Sequence, residues 1–344
     1  MPTLRTNTLG EYSPLAQRYR RKGGIAMKSF IALTILMLLL VVAPVGGMTQ
    51  EIRIGQEGAM RQLKRAVLNG IELEYEVRGA GEPVVLVHAG VFADWFKPLL
   101  EERALTDRYR VVSYHRVGYA GSSHLAGPVS IAQQARHVRS LMRHLGIERA
   151  HVVGHSSSGN MALQLALDAP DMVHSLALLE PALLAVPSGP QVAKAVLVPA
   201  LERYRAGDKA GAVDTFMRGV SGPAYRTVLE KALPGAFDQA VADADTFFGQ
   251  ELPALRQWSF TREDARRITQ PVLAVLGAKS DDVRPKSEEG SRVFGERQEL
   301  LLAWLPNVEP FVLPDATHLL HVQNPRGMAE GLAAFFARHP LKAQ

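Results

Sequence analysis

The hydrophobic pattern changes period along the chain. Residues 66–77 are two apolar stretches joined at Asn69 and Gly70, a pair that favours a two-residue hairpin turn. After it, Ile71, Leu73, Tyr75 and Val77 alternate with Glu72, Glu74 and Glu76, which predicts an antiparallel strand with one solvated face. Residues 84–87 are apolar at every position, as a strand covered on both faces must be. Further strands are expected at 109–114, 151–156, 173–179, 271–276 and 309–313. Helical stretches alternate with them. Ser130 caps one that runs to about His144, residues 161–167 have helical composition, and another spans roughly 286–304. Pro325 opens the last, with Met328, Leu332, Phe335 and Phe336 on one face. Residues 182–265 carry helical patterns with Gly and Pro breaks and no clear strand. The expected fold is therefore α/β: a mostly parallel eight-stranded sheet at 66–340, flanked by helices, with a helical cap at about 182–265 inserted after the sixth strand.

The candidate chemistry centres on residues 150–160. Val152 and Val153 end a short buried strand, and the helical stretch begins within a few residues. Such an abrupt strand-to-helix turn exposes its tip at the carboxyl end of the sheet. The pattern Gly-x-Ser-x-Gly puts Ser156 at that tip as a nucleophile. Strand and helix approach closely there, so the residues two before and two after must be small. Gly154 and Ser158 satisfy this. Ser157 fails as the nucleophile, because His155 would then occupy a position with no room for a ring.

Composition narrows the reading. With 344 residues, 47% of them hydrophobic and 21% charged, the chain has ample length for a large core. No cysteine is present, which excludes disulfides, thiolate metal sites and cysteine nucleophiles. The net charge of +5 resides in residues 1–47, which hold six basic side chains and one acid. The neutral remainder argues against a nucleic-acid partner. Residues 30–42 form an uncharged apolar run after Lys28, and Val45, Gly46 and Gly47 follow as small or short residues. That is the form of a secretory signal, with Met1 or Met27 as its start. The expectation is export after cleavage, with residues 48–65 as a polar linker. The alternative is a retained membrane anchor at about 28–48.

A serine hydroxyl needs a base, a group that orients the base, and donors for a developing oxyanion. His318 follows the last strand directly in Pro314-Asp-Ala-Thr-His318 and is the candidate base. His321, nearby, reads as a pocket or structural residue, and the two histidines lack a third metal ligand. Three carboxylates compete as the orienting acid. Asp281 is favoured, in the loop after residues 272–276, with Asp282 and Glu180 as alternatives. Oxyanion donors are expected from the backbone of Ser157 and of Gly90 or Val91. His88 reads as a brace for that loop and Trp95 as packing.

These stretches together resemble the cap-bearing members of the α/β-hydrolase superfamily. The match rests on His88-Ala-Gly90, on residues 114–122, on residues 153–159, on residues 271–277 and on Pro314 to His318. Departures are Ala89 for glycine, His115 for a common aspartate, Ser158 for glycine, and Ser280 where the acid often stands. The resemblance implies a serine esterase acting on a small, apolar acyl ester, with no cofactor and no metal. Ser156 argues against epoxide and dehalogenase chemistry, which uses an aspartate there. Other serine-triad outcomes (C–C hydrolase, lyase, perhydrolase) and a non-catalytic ligand-binding module remain open alternatives.

Overall fold

The computed structural model describes residues 63–284 and 292–341, all within one compact unit. The expected signal or anchor and most of the linker lie outside the described residues. The linker's last two positions belong to the first strand. β1 (Lys64–Leu68) and β2 (Ile71–Arg78) form the anticipated hairpin, pairing Leu68 with Ile71. Asn69 and Gly70 both have positive φ, 54° and 82°, as a turn matched to strand twist requires.

Six more strands complete the sheet: β3 (Glu82–Val87), β4 (Tyr109–Tyr114), β5 (Ala150–His155), β6 (Val173–Leu179), β7 (Val272–Gly277) and β8 (Val308–Leu313). Their order is β1-β2-β4-β3-β5-β6-β7-β8. Only the β1–β2 and β2–β4 pairs are antiparallel. The central strands are buried on both sides. Val84 and Leu86 enter one apolar layer with Phe335 and Phe336, while Val85 and Val87 enter the other with Val138 and Met161. Chain order reverses between β3 and β5, so the carboxyl ends of these two neighbours frame a crevice.

Four helices carry the layers. α1 (Ile131–His144) starts at a reciprocal cap, in which Ser130 Oγ accepts from the Gln133 amide at 3.2 Å and Gln133 Oε1 accepts from the Ser130 amide at 2.8 Å. α2 (Ser157–Asp168) follows β5 after a single residue, Ser156. α3 (Val293–Trp304) lies before β8, and α4 (Pro325–Arg338) closes the fold. Among the described residues, no helix is long and apolar enough to cross a membrane.

Between β6 and β7 the chain is helical, including Val198–Arg205, Lys209–Ser221, Tyr225–Ala232 and Leu252–Gln257, with π-helical turns at Ala193–Leu197 and Asp245–Glu251. The second π-helical turn is pinned to the loop after β4. Thr246 Oγ1 donates to the Gly118 carbonyl at 2.6 Å, and Glu251 accepts from Arg116 at 2.8 Å and from Tyr119 at 2.5 Å. Arg116 is fully buried, so this pair joins insertion and sheet at a site where a lost partner is costly.

Candidate active site

Ser156 stands between β5 and α2 with φ 53° and ψ −121°. Non-glycine residues rarely hold such a conformation, and it costs on the order of 1–3 kcal/mol. Tight packing enforces it. A Cβ added at Gly154 would lie 2.5 Å from the Ser158 carbonyl oxygen, and one at Gly159 would lie 2.6 Å from Pro181 Cβ. Ser158, in place of a glycine, fits because its hydroxyl is fully used. It accepts from the His155 amide at 2.9 Å and donates to the Val87 carbonyl at 2.5 Å, tying the turn to the end of β3.

His318 lies in the loop after β8 and is buried, its ring stacked on Phe294 with centroids 4.7 Å apart. Its Nδ1 donates to Glu180 Oε2 at 2.5 Å. Glu180 is the first residue after β6 and also has positive φ, 45°. Its other oxygen accepts from the Gly277 amide at 2.7 Å, at the end of β7. The carboxylate thus spans from the β6 end to the β7 end, and the histidine meets it there.

Of the three candidate acids, the structure brings Glu180 to His318 and places the favoured Asp281 elsewhere. Asp281 accepts from the amides of Phe294 and Gly295 at 3.0 and 2.9 Å, and so caps the amino terminus of α3. Exposed amides at a helix start attract a carboxylate strongly, and the short 3-10 turn Ser280–Asp282 aims Asp281 at them. Asp282 lies in the same turn, and Nδ1 of His318 is taken by Glu180.

Burial dominates the titration of both partners. It pushes Glu180 up to about 7, against the Gly277 amide and the charge of Arg297. It pushes His318 down to about 3, with Arg297 and Arg284 acting in the same direction. The resting imidazole is therefore neutral and able to accept a proton.

The expected oxyanion donors separate. The Gly90 amide donates to Ser157 Oγ at 3.0 Å and is occupied. Val91 has a positive φ of 73°. Among the described residues, neither its amide nor that of Ser157 has a protein acceptor. The loop is braced as expected at His88, whose Nε2 accepts from the Arg116 amide at 2.9 Å. Trp95 does more than pack: its Nε1 donates to the Gly90 carbonyl at 2.7 Å. His321 is structural, buried and stacked on Phe96 with centroids 4.5 Å apart.

Ser156, Ser157 and His318 open on a cavity of about 380 Å³. Its walls are mainly apolar and include Val196, Leu201, Phe216, Phe247, Leu252 and Phe294. Of the aromatic residues in the insertion, Phe216 and Phe247 line it, whereas Trp258 stacks on Phe260 away from it. No group of three or more histidine or acidic residues that could hold a metal occurs among the described residues.

Residues 82–325 match the family model described as alpha/beta hydrolase fold. The chain belongs to this family. Over 127 residues the hydrolase-fold chain is 39% identical to the dihydrolipoyllysine-residue acetyltransferase component of the acetoin cleaving system of Cupriavidus necator, covering 37% of this chain and 34% of that protein. It spans 34% to 44% of the length of the first curated relatives it matches. A thermophilic esterase from Thermogutta terrifontis superposes with a TM-score of 0.65 at 22% identity, covering 81% of this chain and 100% of that one. The enol-lactonase from Burkholderia xenovorans LB400 superposes with a TM-score of 0.64 at 22% identity, covering 80% and 100%. These structural likenesses concern the fold. Within it, His115 of this α/β-hydrolase chain is held between Glu74 and Asp94, at 3.0 and 3.1 Å.

Proposed function

We propose that the protein is a serine hydrolase that cleaves a carboxylic ester or related acyl compound. Ser156 Oγ attacks the substrate carbonyl while His318 takes its proton. The amides of Ser157 and Val91 hold the oxyanion. His318 returns the proton to the leaving alcohol as the C–O bond breaks, leaving an acyl group on Ser156. Water, deprotonated by His318, then attacks the acyl carbon and frees the acid and the serine. Glu180 keeps the Nδ1–H tautomer and stabilises the imidazolium that forms. The observation that carries this reading is the Glu180–His318 hydrogen bond of 2.5 Å beside a cavity that also holds the strained Ser156. The acid, the base and the turn come from three separate strand ends, and a binding module has no use for that convergence. A rapid-mixing experiment with p-nitrophenyl butyrate tests it. A burst of p-nitrophenol equal to the enzyme concentration is expected whenever deacylation is slower than acylation. A protein that folds yet releases none, with this ester and with p-nitrophenyl acetate, contradicts it.

Export is proposed on the sequence alone, from the apolar run at 30–42 and the small residues after it. Amino-terminal sequencing of the protein recovered outside the cytoplasm is expected to start near residue 48. Recovery of the uncut chain in the membrane fraction would favour the anchor.

A further inference from the structure

Arg297 is a charge set into an apolar stripe. It lies on α3 between Val293 and Leu301, one helical turn from each, and both neighbours are buried. At this register a leucine or methionine is the ordinary filler, yet the guanidinium is here, only 8% exposed. Nε donates to the Leu183 carbonyl at 3.0 Å, which fixes the side chain's direction. The group also lies over the ring of Phe294, 5.5 Å from its centroid. Nη1 and Nη2 donate to no protein atom among the described residues, and Arg297 forms no ion pair there. Glu180 makes no hydrogen bond to it, its oxygens meeting His318 and Gly277 instead, although its charge favours the cationic guanidinium. The side chain lines the same cavity as Ser156 and His318.

The charges of Glu180, Asp281 and Glu296 favour the guanidinium, but none of these groups accepts a hydrogen bond from Nη1 or Nη2. Burial lowers Arg297 only to about 10, so it stays cationic at neutral pH. Its two free nitrogens form a planar fork that matches a carboxylate, and the surrounding walls give apolar contact. We infer that Arg297 is a substrate-binding residue, and that the substrate is an ester or lactone with an apolar chain and a free carboxylate that the guanidinium receives. This inference deepens the serine-hydrolase reading and rests on it. Arg256 also lines the cavity but is exposed, so solvent already satisfies it.

The test compares the monomethyl esters of the straight-chain dicarboxylic acids, from succinate to suberate, with the corresponding dimethyl esters. The ratio of kcat/KM for the monoacid over the diester is the readout, because a change in the catalytic groups moves both members and leaves the ratio in place. At the best chain length the full-length protein is expected to favour the monoacid at least tenfold. Arg297→Gln is expected to lower that ratio about 100-fold, and Arg297→Lys, which keeps the charge and loses the fork, to give an intermediate value. A wild-type ratio of one or below at every chain length overturns the inference without any variant. An unchanged ratio in a folded Arg297→Gln protein overturns it as well. Phosphonylation by a neutral fluorophosphonate is measured in parallel. Its absence would mean that the serine reading has failed, and calorimetric binding of hexanoate against hexanamide to Ser156→Ala then decides the role of Arg297 by itself: equal binding overturns it, and preferred binding of hexanoate that Arg297→Gln abolishes supports it.

Discussion

Glu180 Oε2 lies 2.5 Å from His318 Nδ1, although the two residues are 138 positions apart in the chain. The end of β6 and the loop after β8 deliver them to opposite sides of β7, and the Gly277 amide at the end of β7 fixes the carboxylate between them.

This pairing separates the two carboxylates by experiment. Glu180→Gln is expected to lower kcat by about 10²–10⁴-fold with the fold intact, since the amide cannot stabilise an imidazolium as a carboxylate does. Asp281→Ala is expected to keep kcat within a few-fold while costing about 1 kcal/mol of stability through loss of the α3 cap. Urea unfolding and ester turnover on both variants check this, and the opposite assignment of effects would contradict it.

The pH profile follows from the same pair. Glu180 is raised to about 7 by burial, and His318 is lowered to about 3. Acidification therefore adds one proton to the hydrogen-bonded pair, which ends its resting state of neutral imidazole and carboxylate. Glu180 then no longer supports a developing imidazolium, so kcat/KM falls on the acid side of about pH 7. In Glu180→Gln the residual activity is expected to lose that limb. A wild-type profile flat down to pH 5 would contradict the assignment.

The elbow has no slack. Gly154→Ala places a Cβ 2.5 Å from the Ser158 backbone oxygen, which cannot move without shifting Ser156. A displacement of the nucleophile by about 1 Å costs roughly 100-fold in rate. The expected outcome is a fall in kcat of this order, with a lowered thermal midpoint. Unaltered kinetics would mean that the turn is looser than its geometry indicates.

Removing Glu251 leaves Arg116 buried with its charge unpaired. Glu251→Ala is expected to cost about 3–5 kcal/mol in urea unfolding. Glu251→Gln, which keeps one acceptor for Arg116 and Tyr119, is expected to cost less. Equal stability of all three proteins would contradict the view that this contact holds the helical insertion to the sheet.

Much of this was readable in the chain. Two-sided burial leaves continuous apolar runs at Val84–Val87, Leu176–Leu179 and Val272–Leu276, and the Asn69-Gly70 turn and the Ser130 cap are local signals that need no tertiary context. Ser156 and His318 stand directly at strand ends, where residue type and position can be read together. The acid was not decided there. Asp281, Asp282 and Glu180 all follow strands, and the choice depends on which carboxylate a distant histidine meets and which one finds helix amides. The occupied Gly90 amide was hidden for the same reason, since the hydroxyl that fills it belongs to Ser157, 67 residues away. Arg116 and Glu251 are 135 residues apart and carry no shared pattern. Arg297 left a faint trace as a charge in register with Val293 and Leu301, but the adjacent Leu300, Leu301 and Leu302 blur the apolar face of that helix.

The central claim is an activated Ser156. Its most direct test is labelling of the protein with a fluorophosphonate, followed by peptide mapping, beside Ser156→Ala and His318→Ala. The account predicts one adduct per chain on the peptide that holds Ser156, absent from the first variant and strongly slowed in the second. Folded wild-type protein that takes up no label, from this reagent or from a smaller acylating one, would contradict it.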